Sequence, residues 1–172
     1  MNRYAIGLAL LFAAFAARAD FNNGVAHYVR GEYEQAAKIF LPLAVNGNDP
    51  YAQRFLAEMY AKGQGVEQNH EEAAKWYRSS AEKGVAASQY KLGLMYRDGQ
   101  GVPKDMEYAY AWFSVAAKQG NKLAPTALGG LDGQLSEQEL GEAKKLAEEF
   151  IAKHGEAPKQ RTEGMDEPLK QP

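Results

Sequence analysis

The stretch from Tyr60 to Tyr77, YAKGQGVEQNHEEAAKWY, is written again 36 residues later, from Tyr96 to Phe113, as YRDGQGVPKDMEYAYAWF. Setting residues 52–87 against 88–123 gives thirteen identities in 36 positions. Average composition gives about two or three by chance. The matched pairs include Gln53/Gln89, Leu56/Leu92, Met59/Met95, Tyr60/Tyr96, Gly63/Gly99, Val66/Val102, Ala73/Ala109, Trp76/Trp112 and Gly84/Gly120. A period of this size belongs to stacked-repeat architectures. One supersecondary unit cannot bury its apolar face alone, so it packs on the next copy.

Each copy reads as two helices. Ala52, Leu56, Met59 and Tyr60 fall on one helical face, and Ala73, Trp76, Tyr77 and Ala81 do the same further on. Alanines let the helices approach, and Leu56, Tyr60 and Trp76 fill the space between. The segment GQGV joins the two helices. Gly63 and Gly99 stand where the first helix must stop, and glycine accepts the left-handed turn that stops it. Val66 and Val102 are expected to plug the loop into the core. Asn69 and Asp105 are suited to cap the second helix. The glycine-rich loop is not a phosphate cradle, because it lacks the lysine and spacing of a P-loop and no strand precedes it.

A degenerate unit lies upstream. Residues 21–30 form a short first helix, Gly31-Glu32-Tyr33 a tight turn, and Ala36, Ala37, Phe40 and Ala44 mark a second helix. Downstream, Ala124 and Leu128 begin a partial fourth unit. Ser136 and Glu139 have capping-box spacing and open a helix over 137–153. Its stripe of Leu140, Ala143, Leu146, Ala147 and Phe150 faces the stack, and its other side is rich in Glu and Lys, as a terminal cap requires.

The two ends read differently. Arg3 followed by the apolar run Ala5–Ala17 and by Ala17-Arg18-Ala19 has the form of a signal peptide cut before Asp20. Thirteen residues of helix span only about 20 Å, short of a bilayer core of about 30 Å. Removing Arg3 and Arg18 with that leader takes the net charge from −2 to −4. The mature chain is mildly acidic and mixed in sign, which gives no basic footprint for nucleic acid and no polybasic membrane anchor. Cysteine is absent, so stability rests on packing without disulfides. Residues 154–172, with their prolines and charges, are expected to be a disordered tail.

These residues resemble the Sel-1-like repeat family, a branch of the tetratricopeptide superfamily. The segments LGLMYRDGQGVPKD and AYAWFSVAAKQG carry that resemblance most closely, and AHYVRGEYEQAAKIFLPLAVNGN looks like the opening repeat of exported bacterial members. The resemblance implies an all-α fold: an α-α superhelix, or solenoid, of about three and a half helix-turn-helix units. Their boundaries are about 21–50, 51–87, 88–123 and 124–153. It implies a non-catalytic protein–protein interaction scaffold in the bacterial cell envelope, periplasmic or secreted, with no cofactor and no metal.

In such a stack the first helices line a concave groove. Tyr51, Arg54, Glu58 and Lys62 are the expected partner-binding residues of one unit, and Tyr90, Leu94, Arg97 and Asp98 those of the next. Arg54 becomes Tyr90 and Glu58 becomes Leu94, so the surface passes from charged to apolar and aromatic. Tyr and Arg are the residue types that most often anchor interfaces. The partner is expected to be a segment of another protein, with no nucleic acid and no stable membrane insertion.

Catalytic apparatus is sparse. His27 is expected to pack, His70 to be solvated, and His154 to sit at a helix end where its cation suits the dipole. None has a second ligand at metal spacing. No serine lies in a Gly-x-Ser-x-Gly elbow, and Glu71-Glu72 and Glu148-Glu149 point apart on their helices. A cysteine-rich branch of the family is linked to β-lactam binding and hydrolysis. The alternative reading is accordingly a periplasmic ligand-binding or hydrolytic protein acting on β-lactams or cell-wall fragments. It calls for a pocket with converging polar groups.

Overall fold

The computed structural model describes residues 18–158; the leader's apolar run and the last fourteen residues of the expected tail lie outside the described residues. Among the described residues the fold is all-α. The helices are α1 (18–29), α2 (Tyr33–Val45), α3 (Pro50–Lys62), α4 (His70–Glu82), α5 (Ala86–Asp98), α6 (Met106–Lys118), α7 (Ala124–Asp132) and α8 (Glu137–His154). The chain divides into two compact units between Trp76 and Tyr77, within α4.

The first unit is held by a cluster of rings. Phe40 of α2 stacks on Phe55 of α3 with centroids 4.8 Å apart and planes 7° from parallel. Phe21 and Tyr28 of α1 meet Phe55 edge-on, at 5.9 and 5.1 Å. Such pairs add about 0.5–1.5 kcal/mol each to simple burial. Ala36, Ala44 and Ala52 are fully buried or nearly so, and they give the rings room between helices. Asp49 caps α3 by accepting from the backbone N–H groups of Tyr51 and Ala52, both at 2.9 Å, with Pro50 at the first helical position.

Both repeat loops end their first helix as the sequence implies. Gly63 and Gly99 adopt φ of 67° and 69°, and their N–H groups bond back to Met59 and Met95 carbonyls. The repeated glutamines have a role the sequence did not reveal. Gln53 donates its side-chain amide to the Ala44 carbonyl at the end of α2, at 3.1 Å. Gln89 does the same to Ala81 near the end of α4, at 3.0 Å. Each fully buried amide thus donates to a helix-end carbonyl; that of Ala81 also accepts from the Gly84 N–H at 2.9 Å.

In the second unit α6 is the central helix, with Ala109, Ala111, Trp112, Phe113, Val115 and Ala116 all buried. α8 lies along α6 and brings Phe150 to 4.9 Å from the Trp112 ring and 5.6 Å from Tyr108. The Ser136–Glu139 capping box opens α8, with both reciprocal bonds formed.

The expected disordered tail needs correcting at its start. The His154 carbonyl accepts from Gln89 at 3.1 Å and Gln119 at 3.0 Å. A Cβ added to Gly84 would stand 1.9 Å from the Glu156 carbonyl oxygen, so the chain at 156–157 lies against this glycine. The hydrogen bonds of the His154 carbonyl and the close approach to Gly84 place the start of the segment.

Candidate functional site

The first-helix residues divide by burial. On α3 the apolar face is wider than its repeat pattern implies: Tyr51 and Phe55, one turn apart, are 7% and 4% exposed. Tyr51 is therefore a packing residue, and its expected place among the partner-binding residues is corrected. Starting the helix at Pro50 puts Tyr51 in the first turn, on the side it shares with Phe55.

Arg54, Glu58 and Lys62, spaced by four, form the adjoining, less buried stripe of α3. Lys62 Nζ donates to Glu58 Oε1 at 2.7 Å, and the other Glu58 oxygen lies 3.8 Å from Arg54 Nη1. The Arg54 guanidinium rests 4.3 Å from the centroid of the Phe55 ring. Tyr28 on α1 donates its hydroxyl to Gln64 Oε1 at 3.2 Å. Burial, then the Glu58 carboxylate and Tyr33, push the Tyr28 phenol well above its ordinary range, with Arg54 acting the other way. Tyr28, Tyr33, Arg54 and Glu58 thus form one electrostatic neighbourhood. Sequence reasoning missed Tyr28 and Tyr33 because the first unit lacks the repeat's long loop and could not be aligned to it.

On α5 the corresponding face is different in kind. Tyr90 is half-buried, its ring 5.6 Å from Phe113, and Leu94 is half-buried one turn on. Arg97 donates both Nε and Nη2 to Asp98, at 2.7 and 2.8 Å. That fork holds the Asp98 carboxyl below its usual range. The structure therefore brings Arg54, Glu58 and Lys62 together, and separately Arg97 and Asp98.

Two of the three histidines are engaged structurally. His27, expected as a packing residue, instead faces Glu32 at 2.5 Å and Arg30 at 3.2 Å across the α1–α2 turn. His154 lies against the Trp112 ring at 5.3 Å, and its Nδ1 stands 3.2 Å from the Glu82 carbonyl. The tight turn carries these groups together in the first case, and the end of α8 in the second. Ser88 shares a buried 2.7 Å hydrogen bond with Ser80. Among the described residues no group of three His, Cys, Asp or Glu is placed to hold a metal ion, and no helix is long and apolar enough to cross a membrane. A depression of about 290 Å³ lies between α2, α3 and the first GQGV loop, lined by Glu34, Lys38, Leu41, Leu56, Tyr60 and Val66 among others. Its lining is largely apolar, and no sequence signal marked it.

Comparison with known proteins agrees with the helix pairs. The Sel1 repeat model matches residues 50–85 and 86–121, the same 36-residue spacing as the internal alignment. A protective antigen present in uropathogenic Escherichia coli strains, displaying an SLR fold, is 31% identical with a TM-score of 0.75; the match covers 81% of this chain and 30% of that one. A Sel1 repeat protein from Oxalobacter formigenes is 33% identical with a TM-score of 0.61, over 76% of this chain and 55% of the other. The chain thus spans about a third to about half of the length of these two solved relatives. No curated protein matches its sequence. Sel1 repeat proteins are in general non-catalytic scaffolds for protein–protein interaction. The chain thus carries two Sel1 repeats in tandem within an all-α repeat fold, and the Sel1 repeat belongs to the tetratricopeptide-like superfamily.

Proposed function

We propose that this protein is an exported scaffold that binds a segment of another protein through the outward face of a first helix, Arg54–Glu58–Lys62 on α3 or Tyr90–Leu94 on α5. One observation carries the reading. The repeat keeps its buried positions, Gln53/Gln89, Leu56/Leu92 and Met59/Met95, and changes the outward ones, Arg54/Tyr90 and Glu58/Leu94. A packing role alone asks for shape at the first set and leaves the second unconstrained. Half-buried Arg and Tyr on such a face have the character of interface anchors. Export rests on the leader-like composition of residues 1–19.

The test is affinity capture from a native envelope extract with three baits: wild type, Arg54→Glu, and Tyr90→Ala. Circular dichroism checks that each bait stays folded. A protein retained by wild type and lost from a folded variant supports the reading. A captured protein indifferent to both substitutions moves the interface away from these faces.

A further inference from the structure

The two first-helix arginines are in opposite states. Arg97 has closed its fork on its own neighbour, with two N–H groups on Asp98 at 2.7 and 2.8 Å. Arg54 has no such partner beside it. The adjacent carboxylate, Glu58, stands 3.8 Å away, beyond hydrogen-bonding distance. Glu58 is engaged instead by Lys62 at 2.7 Å. The trio of Arg54, Glu58 and Lys62 therefore has a net charge of +1, with a hydrogen-bonded ion pair at the Lys62 end and, at the other, a guanidinium held to Glu58 only by a 3.8 Å electrostatic contact.

The guanidinium is also oriented. It lies over the Phe55 ring at 4.3 Å, and the Arg54 side chain keeps only 21% of its exposure. Stacking of this kind removes water from one face of the plane and fixes its orientation, so less freedom is lost when the edge makes hydrogen bonds. A planar, oriented edge with two parallel N–H groups is complementary to a carboxylate, which accepts them side by side. An ammonium would offer a point charge with no such edge.

We propose that Arg54 is a seat for a carboxylate of the bound segment, so that the α3 face selects an acidic peptide, presented either as an Asp or Glu side chain or as a free C-terminus. This inference rests on the scaffold reading above and names the chemistry of its partner. The Tyr28 ring packs edge-on against the same Phe55 ring, with centroids 5.1 Å apart.

The test follows the side-chain Nε–H resonances of arginine in the full ¹⁵N-labelled chain. Three probes are titrated separately. The first is an N-acetylated, C-terminally amidated Glu-Gly peptide, the second a Gly-Ser peptide with acetylated N-terminus and free carboxylate, and the third inorganic phosphate. The proposal expects the Arg54 signal to shift saturably with the first or second probe, and the one that works identifies the source of the carboxylate. Arg54→Gln should weaken that probe, read at neighbouring backbone amides, by about tenfold or more, and Arg54→Lys by less. Arg97 should stay still in wild type and respond in Asp98→Asn, where its fork is released. No shift at Arg54 with either peptide overturns the proposal. So does a response to phosphate alone, or an equal response of Arg97 in wild type. If the peptides fail while the envelope partner still binds and is lost from Tyr90→Ala, the carboxylate seat is wrong and the scaffold stands.

Discussion

Gly93 on α5 seats the ring of Phe113 on α6: a Cβ built on the glycine would lie 2.6 Å from both Cδ1 and Cε1 of that ring. Phe113 is completely buried, so its ring has little room to retreat. The same repeat position recurs 36 residues later at Gly129 in α7, where a Cβ would meet nothing within 4 Å. One substitution should therefore have opposite signs at the two sites. Gly93→Ala is expected to destabilise by about 1–3 kcal/mol through overpacking. Gly129→Ala should stabilise by up to about 1 kcal/mol, the helix-propensity gain over glycine. Thermal and urea unfolding of the two variants checks the sign.

Gln89 joins α5 to the end of α8, with its amide shared between the Ala81 and His154 carbonyls. Replacing it by leucine leaves the Ala81 carbonyl without this donor, and His154 with Gln119 alone from the pair. A loss of about 1 kcal/mol is expected, the net worth of a typical hydrogen bond, because the Ala81 carbonyl keeps the Gly84 N–H and the His154 carbonyl keeps Gln119. Hydrogen exchange should accelerate over the last turn of α8 more than over α2. Uniform acceleration would mean that the amide stabilises the core generally and not this joint.

Acid should weaken the fold through identifiable carboxylates. Hydrogen bonds from the Ser136 side chain and then its backbone N–H lower the Glu139 carboxyl, and Arg30 and then His27 lower Glu32. A depressed carboxyl stabilises the fold above its unfolded value, about 4.3 for Glu, and that contribution is lost as pH falls through the folded value. Glu107 is raised, by burial and then by Glu142, and acts in the opposite direction. Melting temperatures measured from pH 6 down to pH 3 should fall, and Glu139→Gln should flatten the slope. Ser136→Ala should also cost about 1 kcal/mol at neutral pH through the lost cap.

The repeat itself was fully legible in the sequence, because the residues that define it are buried or turn-forming and each copy needs them in the same place. Gly63, Gly99, Asn69, Asp105 and the Ser136 box all act as their residue types dictate. What escaped depends on neighbours far along the chain. Tyr51 looked outward because the stripe of Ala52, Leu56 and Met59 is narrow, yet Phe55 widens it to include Tyr51. Residues 155–157 looked unordered by composition, yet Gly84, some 70 positions earlier, leaves the space that their backbone occupies. The candidate faces were legible as positions. Which arginine has a closed fork was not, because Arg97 and Arg54 both have acidic neighbours within one turn, and only side-chain geometry separates them.

The most direct test of the central claim places a photoreactive benzoyl-phenylalanine at Leu94, on the α5 face, and in a second protein at Lys75, an exposed position of α4. Each is irradiated in native envelope extract, and cross-linked products are identified by mass. The account predicts a discrete adduct with one partner from Leu94, competed by unlabelled wild-type protein, and none from Lys75. An adduct from Lys75 alone, or the same products from both positions, would contradict the assignment of partner binding to the first-helix faces.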